Sequence, residues 1–270
     1  MDISISSGIH LPFISIIMVS YNQGALIEQS IQSVLNQNYS NFELIVIDGE
    51  SSDQSIVVIN KYTNKIKKVI IEKDRGMYHA RNKGIMLATG DYIGFLNSDD
   101  LYYPDALKNI SNLIIKENYP DMVFGYTIGL TKEGKELIKI VFGPNLDISK
   151  KTYFKKMKTI PDQSTFYKKE ALAFIGLYDT SLRFGADTDL KCRFVKNDMK
   201  ICSLTKIIAG WRIYEEALTY RPDLRNVRFK ESVMINHRYT GSYMNYYTVR
   251  LFLYNFIVPS IKRFLKYFRS

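Results

Sequence analysis

The run Gly90-Asp91-Tyr92-Ile93-Gly94-Phe95-Leu96-Asn97-Ser98-Asp99-Asp100 decides how this chain reads. Tyr92 to Leu96 is short, apolar and aromatic, which predicts a buried strand, and the strand stops abruptly in acid. Two adjacent carboxylates at the end of a buried strand repel each other, and such a pair persists where a cation or a set of donors offsets the repulsion. Asp99 and Asp100 therefore have two readings: ligands of a metal ion, or caps of a helix that starts near Pro104.

Working back from that run, the same pattern recurs. Ile14 to Val19 is a β-branched stretch ending in Ser20-Tyr21-Asn22, and a helix follows with Leu26, Ile27, Ile31, Val34 and Leu35 on one face. Glu43 to Ile47 predicts a second strand running into Asp48-Gly49-Glu50-Ser51-Ser52-Asp53, then a helix with Ile56, Val57 and Ile59. Lys68 to Glu72 reads as a third strand, and Asp74-Arg75-Gly76 opens a helix from about Met77 to Leu87. Strands alternating with helices imply right-handed crossovers and a mainly parallel sheet covered on both sides. Ligands of such sheets bind beyond the carboxyl ends of the strands, where Ser20 to Asn22, Asp48 to Asp53 and Asn97 to Asp100 would share one crevice.

Forward of the run the pattern loosens. Asp121 to Ile128 and Leu137 to Phe142 predict a hairpin, Gln163 to Tyr167 a short strand, and Lys169 to Phe174 and Asp187 to Val195 two helices. Pro144 to Pro161 shows no periodicity. We expect a catalytic domain over 1–220, with a nucleotide-binding half at about 12–100 and an acceptor half at about 101–220, followed by a basic, aromatic helical tail at 221–270.

Composition narrows the classes. The chain has 270 residues, 46% of them apolar, enough for a substantial core. Its longest apolar run, Leu251 to Val258, is interrupted by Asn255 and is far short of the roughly 20 residues that span a bilayer. The N-terminus has no export pattern, so the expected location is cytoplasmic, with peripheral attachment to the inner face of the membrane as an option. Two cysteines without a C-x-x-C spacing and three histidines give no zinc constellation; both cysteines are expected to be buried thiols. Of the net charge of +10, residues 221–270 contribute most, with ten Lys/Arg against two acids. On a helical wheel Lys262, Lys266 and Arg269 oppose Phe256, Ile257, Phe264, Leu265 and Phe268, which suits an anionic membrane surface; packing on protein, including a homodimer contact, is the other reading. No nucleic-acid-binding motif accompanies the charge.

Five motifs in this order, Ser20-Tyr21-Asn22, Val46 to Asp53, Ala80-Arg81-Asn82-Lys83-Gly84, Gly90 to Asp100 and Gly185-Ala186-Asp187-Thr188-Asp189-Leu190-Lys191-Cys192-Arg193, together resemble glycosyltransferase family 2 over about residues 12–215. Within it the chain looks most like bacterial surface-polysaccharide transferases. The resemblance implies a GT-A (Rossmann-like) α/β fold, a nucleotide-diphosphate sugar donor, a glycan or polyprenyl-linked acceptor and an inverting outcome. It implies that Asp99, with Asp100 behind it, holds Mn2+ or Mg2+, and that Asn97, where many relatives have Asp, bonds a ribose hydroxyl. It implies that Asp48 meets the base, favouring uracil, that Ser20, Tyr21 and Asn22 line base and ribose, and that Arg81 points to nucleotide or phosphate. Asp187 falls at the catalytic base, with Asp189 structural and paired to Arg193. Pro161 to Thr165 resembles an acceptor-side segment, and Trp211 and Arg212 would close over donor phosphates. A nucleotidyltransferase, or a non-catalytic nucleotide-sugar-binding protein of the same fold, is the alternative. The former would more naturally show a Gly-rich phosphate loop after the first strand.

Overall fold

The computed structural model describes residues 10–144, 148–156, 160–218, 221–244, 248–249 and 252–253. Strand β1 (Ile14–Ser20) is buried along its whole length because it lies between β2 (Phe42–Asp48) and β4 (Tyr92–Asn97), parallel to both. Strand β3 (Lys68–Ile71) adds in parallel outside β2. A strand covered on both faces needs apolar side chains in both directions, which is why Ile14 to Val19 reads as a nearly unbroken run. Ile14, Ile16 and Met18 enter one core with Ile27 and Ile31 of helix α1 (Ile27–Leu35), while Ile17 and Val19 enter the other with Tyr78 and Ala80 of helix α3 (Met77–Leu87). Between β2 and β3 lies α2 (Ser55–Asn60).

Two glycines set α3 in place. Gly76, at its start, has φ of 118°, a conformation that favours glycine. At Gly84 an added Cβ would lie 2.4 Å from Ile17 Cγ2, so a larger residue would push the helix off β1.

The parallel part ends at β4. Strand β8 (Thr165–Lys168) pairs antiparallel with β4 and with β6 (Met122–Leu130), and β9 (Ile201–Arg212) runs parallel to β6. The two-residue β5 (Leu101–Tyr102) pairs with β9, and β7 (Glu136–Phe142) with β6. The sheet order is β3-β2-β1-β4-β8-β6-β9-β5, so the expectation of a mainly parallel sheet holds for its first half and gives way to mixed pairing in the second. Helix α4 (Ala106–Lys116) follows β5, α6 (Lys169–Ile175) follows β8, and α7 (Ala186–Lys196) leads to β9.

Three segments differ from the sequence reading. The stretch 144–161 contains helix α5 (Lys150–Lys156). Strand β9 is twelve residues long where the apolar signal covers only Ile207 to Ala209, because its first half alternates exposed and half-buried positions. The stretch assigned to a tail at 221 begins with helix α8 (Arg225–Thr240), which packs on α5 and α7 and buries Glu231, Ile235 and Asn236. A division at residue 220 therefore cuts through packed structure. The amphipathic pattern at 256–269 lies outside the described residues. Cys192 is buried as expected, and Cys202 is half-buried. Among the described residues no helix is long and apolar enough to cross a membrane.

Candidate active site

The loops after β1 and β2 are laced together. Ser20 is buried, and its carbonyl accepts the Gly49 N–H at 2.9 Å. Asn22, held at φ of 53°, donates its N–H to Ser51 Oγ (2.8 Å) and accepts the Ser52 N–H on Oδ1 (2.9 Å). Asp48 is fully buried, with Oδ1 taking the Ser51 N–H (2.7 Å) and Oδ2 the Ser51 hydroxyl (2.8 Å). The carboxylate closes an Asx turn, each oxygen taking one hydrogen bond from Ser51. Tyr21 is presented outward, at 64% exposure, and Asn22 beside it is exposed as well. Its ring lies over Gly49, where an added Cβ would sit 3.2 Å from Tyr21 Cδ2, so glycine leaves room for the ring.

Beyond β4, neither acid caps α4, whose N-cap is Asp105. Asp99 accepts the Tyr214 hydroxyl on Oδ2 at 2.8 Å and is half-buried. Asp100 is completely buried and occupied: Oδ1 takes the Arg212 N–H (3.0 Å), and Oδ2 takes Asn97 Nδ2 (3.0 Å) and Gln163 Nε2 (3.1 Å). Burial pushes the Asp99 carboxyl up; burial and the neighbouring Asp99 charge push Asp100 up further. Asp100 thus braces the turn, and Asp99 has the more accessible carboxylate. Arg212, expected over donor phosphates, is fully buried; it donates from Nη1 to the Asp99 carbonyl and from Nη2 to Gln29 Oε1. It is a tie beneath the acidic turn.

Hard oxygen donors and a surplus of buried negative charge suit Mn2+ or Mg2+. Among the described residues no group of three or more His, Cys, Asp or Glu side chains converges, so a cation on Asp99 would draw other ligands from substrate and water.

Arg81 also lies elsewhere than expected. It is 3% exposed, with its guanidinium carbon 5.2 Å from the Phe95 ring centre and 5.6 Å from that of Tyr178. Nη1 pairs with Asp162 Oδ2 at 2.5 Å and Nη2 donates to Asn97 Oδ1 at 3.0 Å, so it braces the crevice from below rather than reaching into it. Asn97 accepts from a cation and donates to Asp100; an aspartate there would face Asp100 with a second charge. Its amide keeps a second N–H and a second oxygen lone pair beyond these two partners.

Asp162 is the hub. Its other oxygen meets Lys191 Nζ at 3.0 Å, and Lys191 in turn lies 3.5 Å from Asp187 Oδ2. A continuous polar chain therefore links Asp187 to the acidic turn, running Asp187–Lys191–Asp162–Arg81–Asn97–Asp100. The adjacent Asp162 and Gln163 serve opposite ends of it. Asp187 Oδ1 lies 3.2 Å from the Tyr78 hydroxyl, which donates to the Phe184 carbonyl at 2.7 Å. The Asp187 side chain is 23% exposed while that of Asp189 is 2% exposed, so of the two acids in the first turn of α7 only Asp187 is open to an incoming molecule. Asp189 is held by Arg193 (3.0 Å) and Arg238 (2.6 Å).

Lys191 was readable four residues after Asp187 as a helical pair. Tyr214 and Glu231 carried no local signal, because their partners lie more than forty positions away, and the pairing of Asp162 with Arg81 and Lys191 was equally invisible at separations of 81 and 29.

This half-parallel, half-mixed sheet, with its acidic turn after β4 and a second acid on a later helix, is a GT-A fold. A model of glycosyl transferase family 2 matches residues 15–174, and the chain belongs to that family. It is 30% identical over 203 residues to a PGL/p-HBAD biosynthesis glycosyltransferase of Mycobacterium tuberculosis, covering 74% of this chain and 76% of that one. It is 38% identical over 116 residues to the Escherichia coli UDP-Glc:alpha-D-GlcNAc-diphosphoundecaprenol beta-1,3-glucosyltransferase WfgD, covering 43% and 46%. Of an uncharacterized glycosyltransferase from Haemophilus influenzae, 38% identical, the matched part spans 56% of the length and 51% of this chain. Among solved structures, S. aureus TarS 1-349 in complex with UDP-GlcNAc superposes with a TM-score of 0.64 at 20% identity, over 82% of this chain and 66% of that one. The mannosyltransferase PcManGT from Pyrobaculum calidifontis, in complex with GDP-Man and Mn2+, gives 0.60 at 16% identity, over 84% and 63%.

Proposed function

We propose that this chain is an inverting glycosyltransferase that moves a sugar from a UDP-sugar to a glycan or polyprenyl-linked glycan in the assembly of a bacterial surface polysaccharide. One observation supports the reading: a continuous polar chain links the partly exposed Asp187 to Asp100, the neighbour of Asp99 in the acidic turn. An acceptor hydroxyl beside Asp187 gives up its proton to the carboxylate while its oxygen bonds to the anomeric carbon. The bond from that carbon to the diphosphate oxygen breaks, and its electron pair leaves with the nucleotide. Mn2+ or Mg2+ bound through Asp99 would supply charge neutralisation for the departing diphosphate. Tyr21 offers its exposed ring to the base. The preference for uracil is supported by two similar proteins, TarS, solved in complex with UDP-GlcNAc, and WfgD, a UDP-Glc glucosyltransferase.

Calorimetry with UDP-glucose, UDP-GlcNAc, UDP-galactose and GDP-mannose, with and without Mn2+, tests the donor. We expect one UDP-sugar to bind with Mn2+ and to bind at least about tenfold more weakly without it, a difference of about 1.4 kcal/mol. Binding of none of the four would end the proposal. Transfer is then measured onto GlcNAc-diphosphoundecaprenol, which also detects the alternative of binding without turnover.

We place the basic segment 246–270 on an anionic membrane surface, where a lipid-linked acceptor is presented. Deleting it should remove co-sedimentation with phosphatidylglycerol vesicles at low salt. Unchanged co-sedimentation would refute that placement.

A further inference from the structure

Helix α8 grips the start of α7 at two points. Glu231 Oε1 accepts the Arg183 N–H at 2.8 Å, and Oε2 accepts those of Phe184 and Gly185 at 2.8 and 2.9 Å. Two helical turns further along α8, the Arg238 guanidinium and Tyr239 hydroxyl donate to Asp189 Oδ1 at 2.6 and 2.9 Å. Ala186, Asp187 and Thr188 lie between these anchors. The contact is close: a Cβ on Gly185 would lie 2.4 Å from Ile235 Cδ1. From the opposite side the Tyr78 hydroxyl holds the Phe184 carbonyl. One carboxylate that takes three successive backbone N–H groups fixes the direction of the chain just before a helix, because the bonds are charge-assisted and share one rigid acceptor.

We propose that Glu231 is a positioning residue for Asp187, and that α8, outside the family match at 15–174, belongs to the catalytic apparatus. This rests on the reading above that Asp187 accepts the proton. Glu231 touches no reacting atom; it acts through the 183–185 backbone. A base displaced by about 1 Å loses on the order of a hundredfold in rate, while the donor's nucleotide, which Asp187 does not hold, stays bound as before.

The full-length chain carries the test, as wild type, Glu231→Gln, Glu231→Ala and Asp187→Asn. The Gln variant keeps the shape and turns one acceptor into a donor facing N–H groups; it guards against the Ala variant failing to fold. Turnover of UDP-glucose and UDP-GlcNAc with GlcNAc-diphosphoundecaprenol is followed by UDP release, UDP affinity by calorimetry, and amide exchange by mass spectrometry. We expect kcat to fall about tenfold in the Gln variant and about a hundredfold in the Ala variant, with donor KM and UDP affinity within about twofold and faster exchange confined to 183–188. A kcat within twofold of wild type in both variants overturns the proposal. So does a fall in kcat accompanied by weaker UDP binding and faster exchange across the sheet, since that is general loosening. Asp187→Asn inactive beside a fully active Glu231→Gln sinks this inference and leaves the function standing. A wild type inert toward both sugars sinks the functional reading instead, and exchange at 183–188 in Glu231→Gln then decides whether the clamp exists.

Discussion

Asp187→Asn should lower transfer by about a thousandfold, within the range of about 10² to 10⁴ that a positioned general base contributes, while leaving the fold and UDP binding intact. The amide has the size of the carboxylate and retains an oxygen for the Tyr78 hydroxyl, 3.2 Å away. Lys191 keeps its closer partner, Asp162 at 3.0 Å, so the variant strands no buried charge. What is lost is the capacity to take a proton. Initial rates of UDP release with a saturating acceptor, beside calorimetry of UDP binding, give the answer. A residual rate within tenfold of wild type would remove Asp187 from the role. Asp189 is no substitute, because its 2% exposed side chain is fully committed to Arg193, Arg238 and Tyr239.

Much of this arrangement was legible before any coordinates, and the reason is local. Three strands read as apolar runs because both faces of β1, β2 and β4 are covered. The polar turns after them read as a ligand site because loops at the carboxyl ends of parallel strands are where such sheets bind. What sequence could not supply was the direction in which each polar side chain points. Asp48, Asn97, Asp100, Arg81 and Arg212 all carry the residue types of ligand contacts, and all bond protein groups, four of them as buried side chains. Periodicity is blind to this. A buried arginine and an arginine facing a phosphate have the same neighbours in sequence, and only the aspartate 81 positions away distinguishes them. The second half of the sheet was less legible for a related reason. Strand β9 gains its pairing from β6, some eighty residues earlier, and its exposed first half lacks the apolar run that marks the parallel strands. Helix α8 has little apolar patterning of its own; its attachment is a carboxylate and a guanidinium aimed at another helix.

Asp162→Asn should be the most destabilising single change in the site, by about 3–5 kcal/mol, because removing one partner of a buried ion pair leaves the other charge uncompensated. Here it leaves two. Arg81 and Lys191, with side chains 3% and 2% exposed, both depend on the Asp162 carboxylate, and the amide of Asn97 and the more distant Asp187 are weak replacements. Burial alone would raise the Asp162 carboxyl, but the Arg81 and Lys191 charges win and hold it at about 2, below its ordinary 3.8. Its linkage to stability follows in sign. As the pH falls, the unfolded chain takes up the proton first, so the contribution of this carboxylate is complete above about pH 4 and lost on approach to about pH 2. Urea unfolding at pH 7 should show the drop, and between pH 5 and 2.5 the variant should lose less stability than wild type. Adding Lys191→Met to Asp162→Asn should cost less than the two changes separately, by about 1–3 kcal/mol, since one stranded cation is removed. Strict additivity, or an Asp162→Asn protein within 1 kcal/mol of wild type, would mean that the Arg81–Asp162–Lys191 triad is not what holds the floor of the crevice together.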